Sequence, residues 1–271
     1  MFKLRDLIAV VAGVSLLFAA GPASAQTMQA IKQRGKILVG VQGDNPPWGF
    51  VNSKSEYEGF DPDVARLLAH DLGVPVEFVP LAVTNRIPTL VSGKADVLFA
   101  TLTMLPDRAK SVQFTQPYVA FDIGLLAPKD MKISQPQDLK GVTIGVPRGT
   151  TMDAAVTKTS PSDTSIMRFD DDSTTQQALL SGQVQAAGAN QFWVARVDAS
   201  APGKYEMKFN YQTFFNGAAT RMGDKEMNKY LNSFIDKIKA NGALADLYKK
   251  WMNRQPHKFP EKIDGVPYSA E

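Results

Sequence analysis

One short pattern occurs twice in this chain. Leu90-Val91-Ser92-Gly93-Lys94 leads to the apolar run Val97 to Ala100, and Leu180-Ser181-Gly182-Gln183 leads to Val184 and Ala186 to Ala189. Each reads as a helix stopped by glycine just past its end and passing straight into a strand. A second echo pairs Leu38-Val39-Gly40-Val41-Gln42-Gly43 with Thr143-Ile144-Gly145-Val146-Pro147-Arg148-Gly149, both apolar strands ending in a glycine loop. Strand, glycine and helix recur in any α/β protein, but two echoes in one chain order predict two lobes of the same build.

Strands alternate with helices throughout, the arrangement of mainly parallel sheets covered by helices. Lys36 to Gln42 and Val74 to Leu81 are expected strands. Between them Asp61 is expected to cap a helix with Pro62 at its first position, Val64, Leu67, Leu68 and Leu72 on one face, and Gly73 at its end. Met227, Tyr230, Leu231, Phe234, Ile235 and Ile238 keep a helical period up to a stop at Gly242, and these are core residues.

The first 25 residues have the layout of a cleaved secretory leader. Lys3 and Arg5 precede the apolar run Leu7 to Ala20, and Ala23-Ser24-Ala25 offers small residues before Gln26. A retained anchor is disfavoured because the run is shorter than a typical span of about 20 residues. The remaining 246 residues suffice for two lobes that each bury a core. The whole chain carries a net charge of +3, too small an imbalance to argue for nucleic acid. It has no cysteine, which excludes disulfides, thiolate metal sites, a cysteine nucleophile and a lipid anchor at the cleavage point.

The stretch Arg86 to Tyr118, RIPTLVSGKADVLFATLTMLPDRAKSVQFTQPY, carries a resemblance to a known family. It is similar, element by element, to the amino-acid solute-binding proteins (family 3) of ABC importers. GFDPDVARLLAHDLGVPVEFV upstream and GVTIGVPRGTT, LLSGQVQAAGA and NGALADLYKKWM downstream extend the likeness over the mature chain. The resemblance implies an α/β, two-lobed periplasmic binding protein fold of class II type, each lobe a mixed, mainly parallel sheet flanked by helices, with a two-strand hinge. Lobe 1 would comprise residues 26–119 and 215–271, and lobe 2 residues 120–214. Val119 to Ile123 and Phe214 to Ala218 would cross between them, a hinge of the kind that closes around ligands. It also implies a periplasmic location, a small amino-acid ligand, an inner-membrane ABC permease as partner, monomeric action and no cofactor.

Open α/β sheets bind ligands beyond the carboxyl ends of their strands. Thr101, Thr103 and Arg108 follow the strand expected at Asp96 to Ala100. An arginine fork can hold a carboxylate by two parallel bonds while threonines supply directed partners; the resemblance implies a grip on an amino acid's carboxylate and amino groups. Thr150 and Thr151 open an expected helix over Met152 to Lys158, where free N–H groups attract anions. GVPRGTT is not a phosphate loop, since no Lys-Ser or Lys-Thr follows its second glycine. The family places an aromatic on the ligand's side chain at Trp48, although Trp48 and Phe50 also suit simple loop packing.

Three positions leave the ligand open. Arg86 in Thr84-Asn85-Arg86-Ile87-Pro88 matches the version that meets a side-chain carboxylate in glutamate/aspartate-binding members, yet Gln42 and Asp172 stand where those carry arginine and histidine. Acidic and amide ligands both stay open. Asn190 stands where the family has the aspartate that pairs with the α-ammonium. Either that ammonium is met elsewhere, with Asp172 as a candidate, or the ligand is not a standard α-amino acid. Asp170-Asp171-Asp172 reads as a helix start rather than a metal site, because consecutive carboxylates do not converge on one ion. Arg148 suits rim or pocket. An enzyme of the same fold, similar to cyclohexadienyl dehydratase, is the alternative reading, with Asp44, Asp153 and Asp172 as its available acids. A soluble partner of a membrane sensor is a third.

Overall fold

The computed structural model describes residues 26–270, so the expected leader lies outside the described residues. The chain opens with α1 (Gln26–Arg34), which the sequence reading did not anticipate, and β1 (Ile37–Val41). The short strands β2 (Asp44–Asn45), β3 (Gly49–Val51) and β4 (Tyr57–Glu58) form a small antiparallel sheet. Next come α2 (Phe60–Leu72), β5 (Val76–Pro80), α3 (Arg86–Val91), β6 (Val97–Leu98), α4 (Pro106–Ala109) and the long strand β7 (Val112–Pro128). Beyond it lie β8 (Thr143–Pro147), α5 (Thr151–Thr159), β9 (Ser165–Phe169), α6 (Asp172–Leu180), β10 (Ala186–Asn190) and α7 (Trp193–Asp198). A second long strand, β11 (Tyr205–Arg221), returns the chain to α8 (Lys225–Ala240) and α9 (Ala243–Met252).

The main sheet has eight strands in the order β5-β1-β6-β11-β7-β10-β8-β9. Its two outer trios, β5-β1-β6 and β10-β8-β9, are each internally parallel. The echo in the sequence is this repeated topology: β1, α2, β5, α3, β6 is matched in order by β8, α5, β9, α6, β10. Its punctuation repeats as well. Gly93 and Gly182 both adopt φ 77°, a left-handed conformation that glycine enters without a Cβ penalty, and each ends its helix there.

β7 and β11 join the trios as a central antiparallel pair, with Phe121 opposite Phe214 and Val119 opposite Asn216. The segments expected to cross between lobes therefore run side by side. Register shifts flank Gly217, so the pairing is irregular at this point. A large apolar cluster unites α2, α8 and α9 with β1. Two further clusters, one holding Leu125, Ile144 and Val156 and the other Leu126, Leu179 and Trp193, pack the β8–β10 half.

Two expectations about helix ends need correction. Asp61 does not cap α2: Gly59 occupies the cap position without a side-chain bond, and Asp61 is buried inside the first turn. Its carboxylate is taken by distant partners instead, the Tyr118 hydroxyl at 2.7 Å and the Thr101 amide at 2.8 Å. Gly242 does not end α8 either. Asn241 is the C-cap, and Gly242, at φ 85°, starts α9, so one glycine turn serves as the joint between two helices.

Candidate ligand site between the lobes

The loops that follow β1, β6, β8 and β10 at their carboxyl ends converge on a pocket. All nine residues singled out from sequence line it: Trp48, Arg86, Thr101, Thr103, Arg108, Thr150, Thr151, Asp172 and Asn190. Gln42, Asn45, Val83, Phe121, Met152 and Asn216 complete the wall, and sequence reasoning did not nominate them as site residues. Bonds between the two halves of the sheet close the space. Arg108 Nη2 donates to the Gly149 carbonyl at 3.1 Å, the Asp172 amide donates to Asp44 at 3.0 Å, and Arg196 donates to the Asp44 carbonyl at 3.0 Å.

Thr101 is the most constrained residue of the wall. It sits at φ 48°, a left-handed conformation that is an outlier for a β-branched side chain and costs about 1–2 kcal/mol. Two buried charges hold it there. Asp61 accepts from its amide and Arg86 Nη1 donates to its carbonyl at 2.9 Å, while its hydroxyl donates to Gln42 Oε1. Burial raises the Asp61 pKa to about 6, against the opposing pull of Tyr118, the Thr101 amide and Arg86.

Arg86 braces the same turn. Its Nε donates to the Val83 carbonyl at 2.9 Å and Nη1 to the carbonyls of Ala100 and Thr101, leaving Nη2 without a protein partner among the described residues. Desolvation lowers its pKa to about 10 although Asp172, Asp61 and Asp44 all favour its charge. Arg108 bonds to the carbonyls of Thr103 and Gly149. Its pKa falls to about 9 through desolvation and the repulsion of Arg86, with no carboxylate acting against them. A partly buried guanidinium bonded only to neutral carbonyls is a strong attractor for a small anion.

The second half supplies the facing wall. Thr150 caps α5, its side chain accepting from the Asp153 amide, so capping and a place in the pocket coexist at this residue. The adjacent aspartates at the start of α6 divide their tasks: Asp171 caps the helix through the Thr174 amide, and Asp172 lines the pocket. Among the described residues Asp172 Oδ1 is buried with no hydrogen-bond partner, and Oδ2 is approached only by Gln42 Nε2 at 3.5 Å. Burial and the neighbouring Asp44 raise its pKa to about 7, outweighing Arg196 and Arg86. Asn190 Oδ1 already accepts from the Phe192 amide at 3.0 Å, so its free amide atom is a donor. Both polar atoms of the Asn216 side chain are buried and unpaired.

The remaining candidates resolve by place. Trp48 lines the pocket and also packs edge-on against Phe60, Phe121 and Phe192, as the loop-packing expectation had it. Phe50 packs against Trp251 and is not part of the lining. Arg148 is exposed on the rim, outside the lining. Asp153 is bound to Arg168 at 2.9 Å and is likewise outside it.

Known proteins share this plan. The glutamine-binding protein GlnH of an ABC transporter in Bacillus subtilis is 30% identical over 85% of this chain and 86% of its own. A solved L-cysteine solute receptor of Neisseria gonorrhoeae is 33% identical, with a TM-score of 0.78 over 83% of this chain and 93% of its own. An ancestral amino acid-binding protein described as a precursor of cyclohexadienyl dehydratase is also 33% identical, with a TM-score of 0.76 over 83% of this chain and 99% of its own. Among the described residues no helix is long and apolar enough to cross a membrane. Residues 37–254 match the bacterial extracellular solute-binding proteins, family 3, and this chain belongs to that family.

Proposed function

We propose that the chain is the receptor of an amino-acid ABC importer, exported to the periplasm behind a cleaved leader and acting as a monomer. Residues 26–119 with 215–271 form one lobe and residues 120–214 the other. A polar amino acid or a close derivative is clamped between them and presented to an inner-membrane permease. The observation that carries this reading is Arg108, a partly buried guanidinium that spans the cleft to Gly149 and has no carboxylate partner among the described residues. A ligand carboxylate would supply the missing counter-charge while Thr103, Thr150 and Thr151 complete its shell. Such a ligand binds only the folded protein and stabilises it by mass action. A thermal-melting screen against the common amino acids is therefore expected to give a concentration-dependent rise for at least one; a flat response across the set overturns the reading.

One observation favours a second reading. Asp172 holds a buried carboxyl near neutrality inside the pocket, the condition for a general acid, and a relative of equal identity is described as a dehydratase precursor. Incubation with cyclohexadienyl acids separates the two. Stoichiometric binding without product supports the receptor, and turnover abolished by Asp172→Asn supports the enzyme.

A further inference from the structure

Two residues of the pocket lining carry polar atoms left without a partner among the described residues. Arg86 keeps one guanidinium nitrogen, Nη2, free once its other bonds to carbonyls are made. Asp172 presents the fully buried, unpartnered Oδ1. No hydrogen bond or salt bridge joins the two residues to each other among the described residues. A strong donor and a strong acceptor are thus fixed on opposite lobes and kept apart, each by its own backbone ties.

We propose that Arg86 and Asp172 together select a ligand side chain ending in a neutral carboxamide or ureido group, its carbonyl accepting from Arg86 Nη2 and its N–H donating to Asp172 Oδ1. This deepens the receptor reading and rests on it, with the carboxylate of the same ligand at Arg108. The competing side chains each leave one group unmet. A side-chain carboxylate suits Arg86 but is set against Asp172. An ammonium or guanidinium suits Asp172 but is set against Arg86. An apolar side chain leaves both buried groups unsatisfied, at the cost that makes buried polar sites reject analogues lacking a partner. The carboxamide satisfies both and adds no net charge to a desolvated space. The perturbed protonation of both residues agrees with this, since burial outweighs the opposite charges around each of them.

The test is calorimetry on the mature chain at about pH 8, where Asp172 is ionised, with glutamine, asparagine and citrulline against glutamate, aspartate, ornithine and norleucine. At least one amide or ureido ligand is expected to bind about tenfold or more tighter than the acid, base and apolar ligands. In Asp172→Asn the repulsion toward a side-chain carboxylate is gone, so the amide-to-acid affinity ratio is expected to fall by about tenfold or more. Three outcomes overturn the inference while leaving the receptor reading intact. These are equal affinity across side chains of one length, which would place the ligand's head group at these two residues; preference for an acid or base; and a ratio that Asp172→Asn does not change. Absence of binding by any amino acid overturns the receptor reading as well.

Discussion

Arg86 and Arg108 face the same pocket, yet they are held in opposite ways. Arg86 belongs to a single lobe, is tied to three carbonyls from two separate turns and has three carboxylates within electrostatic reach. Arg108 has carbonyl partners on both sides of the cleft and no carboxylate to balance it. The first arginine is a brace that also offers one donor. The second is a partly buried cation with no carboxylate partner among the described residues, and it is the one proposed to take the ligand's anion. Being conspicuous in sequence therefore means different things at the two positions, one mainly architectural and one mainly recognitive.

Substitutions can break this contrast. The largest effect is expected at Arg86→Met, which orphans the buried carbonyls of Val83, Ala100 and Thr101 and leaves Asp61 without its nearest cation. Losses of this kind run to about 3–5 kcal/mol, so the melting temperature should fall by roughly 6–20 °C. Arg108→Ala is expected to leave melting nearly unchanged while weakening ligand binding by about 100-fold, the worth of a bidentate charged contact. If Arg108→Ala unfolds the protein and Arg86→Met only weakens binding, the two roles are reversed.

The next effect is a pH dependence. Asp61 and Asp172 have pKa values of about 6 and about 7 in the folded chain, above the ordinary 3.8. The folded state thus binds more protons than the unfolded state between these limits, and the stability they confer is present at low pH and lost as pH rises through 6 and 7. The groups facing Asp172 are Asp44, Arg196, Arg86 and Asp171. Carboxylates with lowered pKa values, such as Asp71, are ionised in both states in this range and add no slope. Melting of the ligand-free protein should therefore fall between about pH 5.5 and about pH 7.5, and Asp172→Asn should flatten the decline. A decline of equal size in that variant would remove Asp172 as its source.

The smallest effect separates strain from recognition. Thr101→Gly relieves a left-handed β-branched residue, worth about 1–2 kcal/mol, but gives back part of it as chain entropy. Melting should change by no more than a few degrees while affinity falls several-fold, because the hydroxyl that donates to Gln42 is lost along with the fixed turn. Unchanged affinity would make the strained conformation incidental to binding.

Much of the site was legible because its signals are local. Thr101, Thr103 and Thr150 follow a strand end within a few residues and Asn190 closes its strand, where the geometry of parallel sheets directs ligands, while Arg108 stands out through the family pattern that runs on from Thr103. Asn216 had no such signal. It lies in the expected crossing segment Phe214 to Ala218 and reaches the pocket through long-range pairing, opposite Val119 on β7 and bridged to Thr103, which no local pattern reveals. Asp61 misled for the reverse reason. Phe60-Asp61-Pro62-Asp63 has the composition of a helix start, and a tertiary partner 57 residues away overrides the capping role. The echo fared well because glycine punctuation is a backbone constraint that survives without knowledge of what packs around it.

The place of β11 between β6 and β7 has a consequence for the making of the molecule. The β5-β1-β6 trio reaches β7 only through a strand synthesised after all of β8–β10, with Thr220 pairing across to Gln113. Closing so long a loop is entropically costly before any contact rewards it, and chains dominated by such non-local contacts fold slowly. The amino-terminal sheet stays unfinished until Arg221 has left the ribosome. On the proposed route of export across a membrane as an extended chain, the dependence of the sheet on so late a strand acts as a built-in delay.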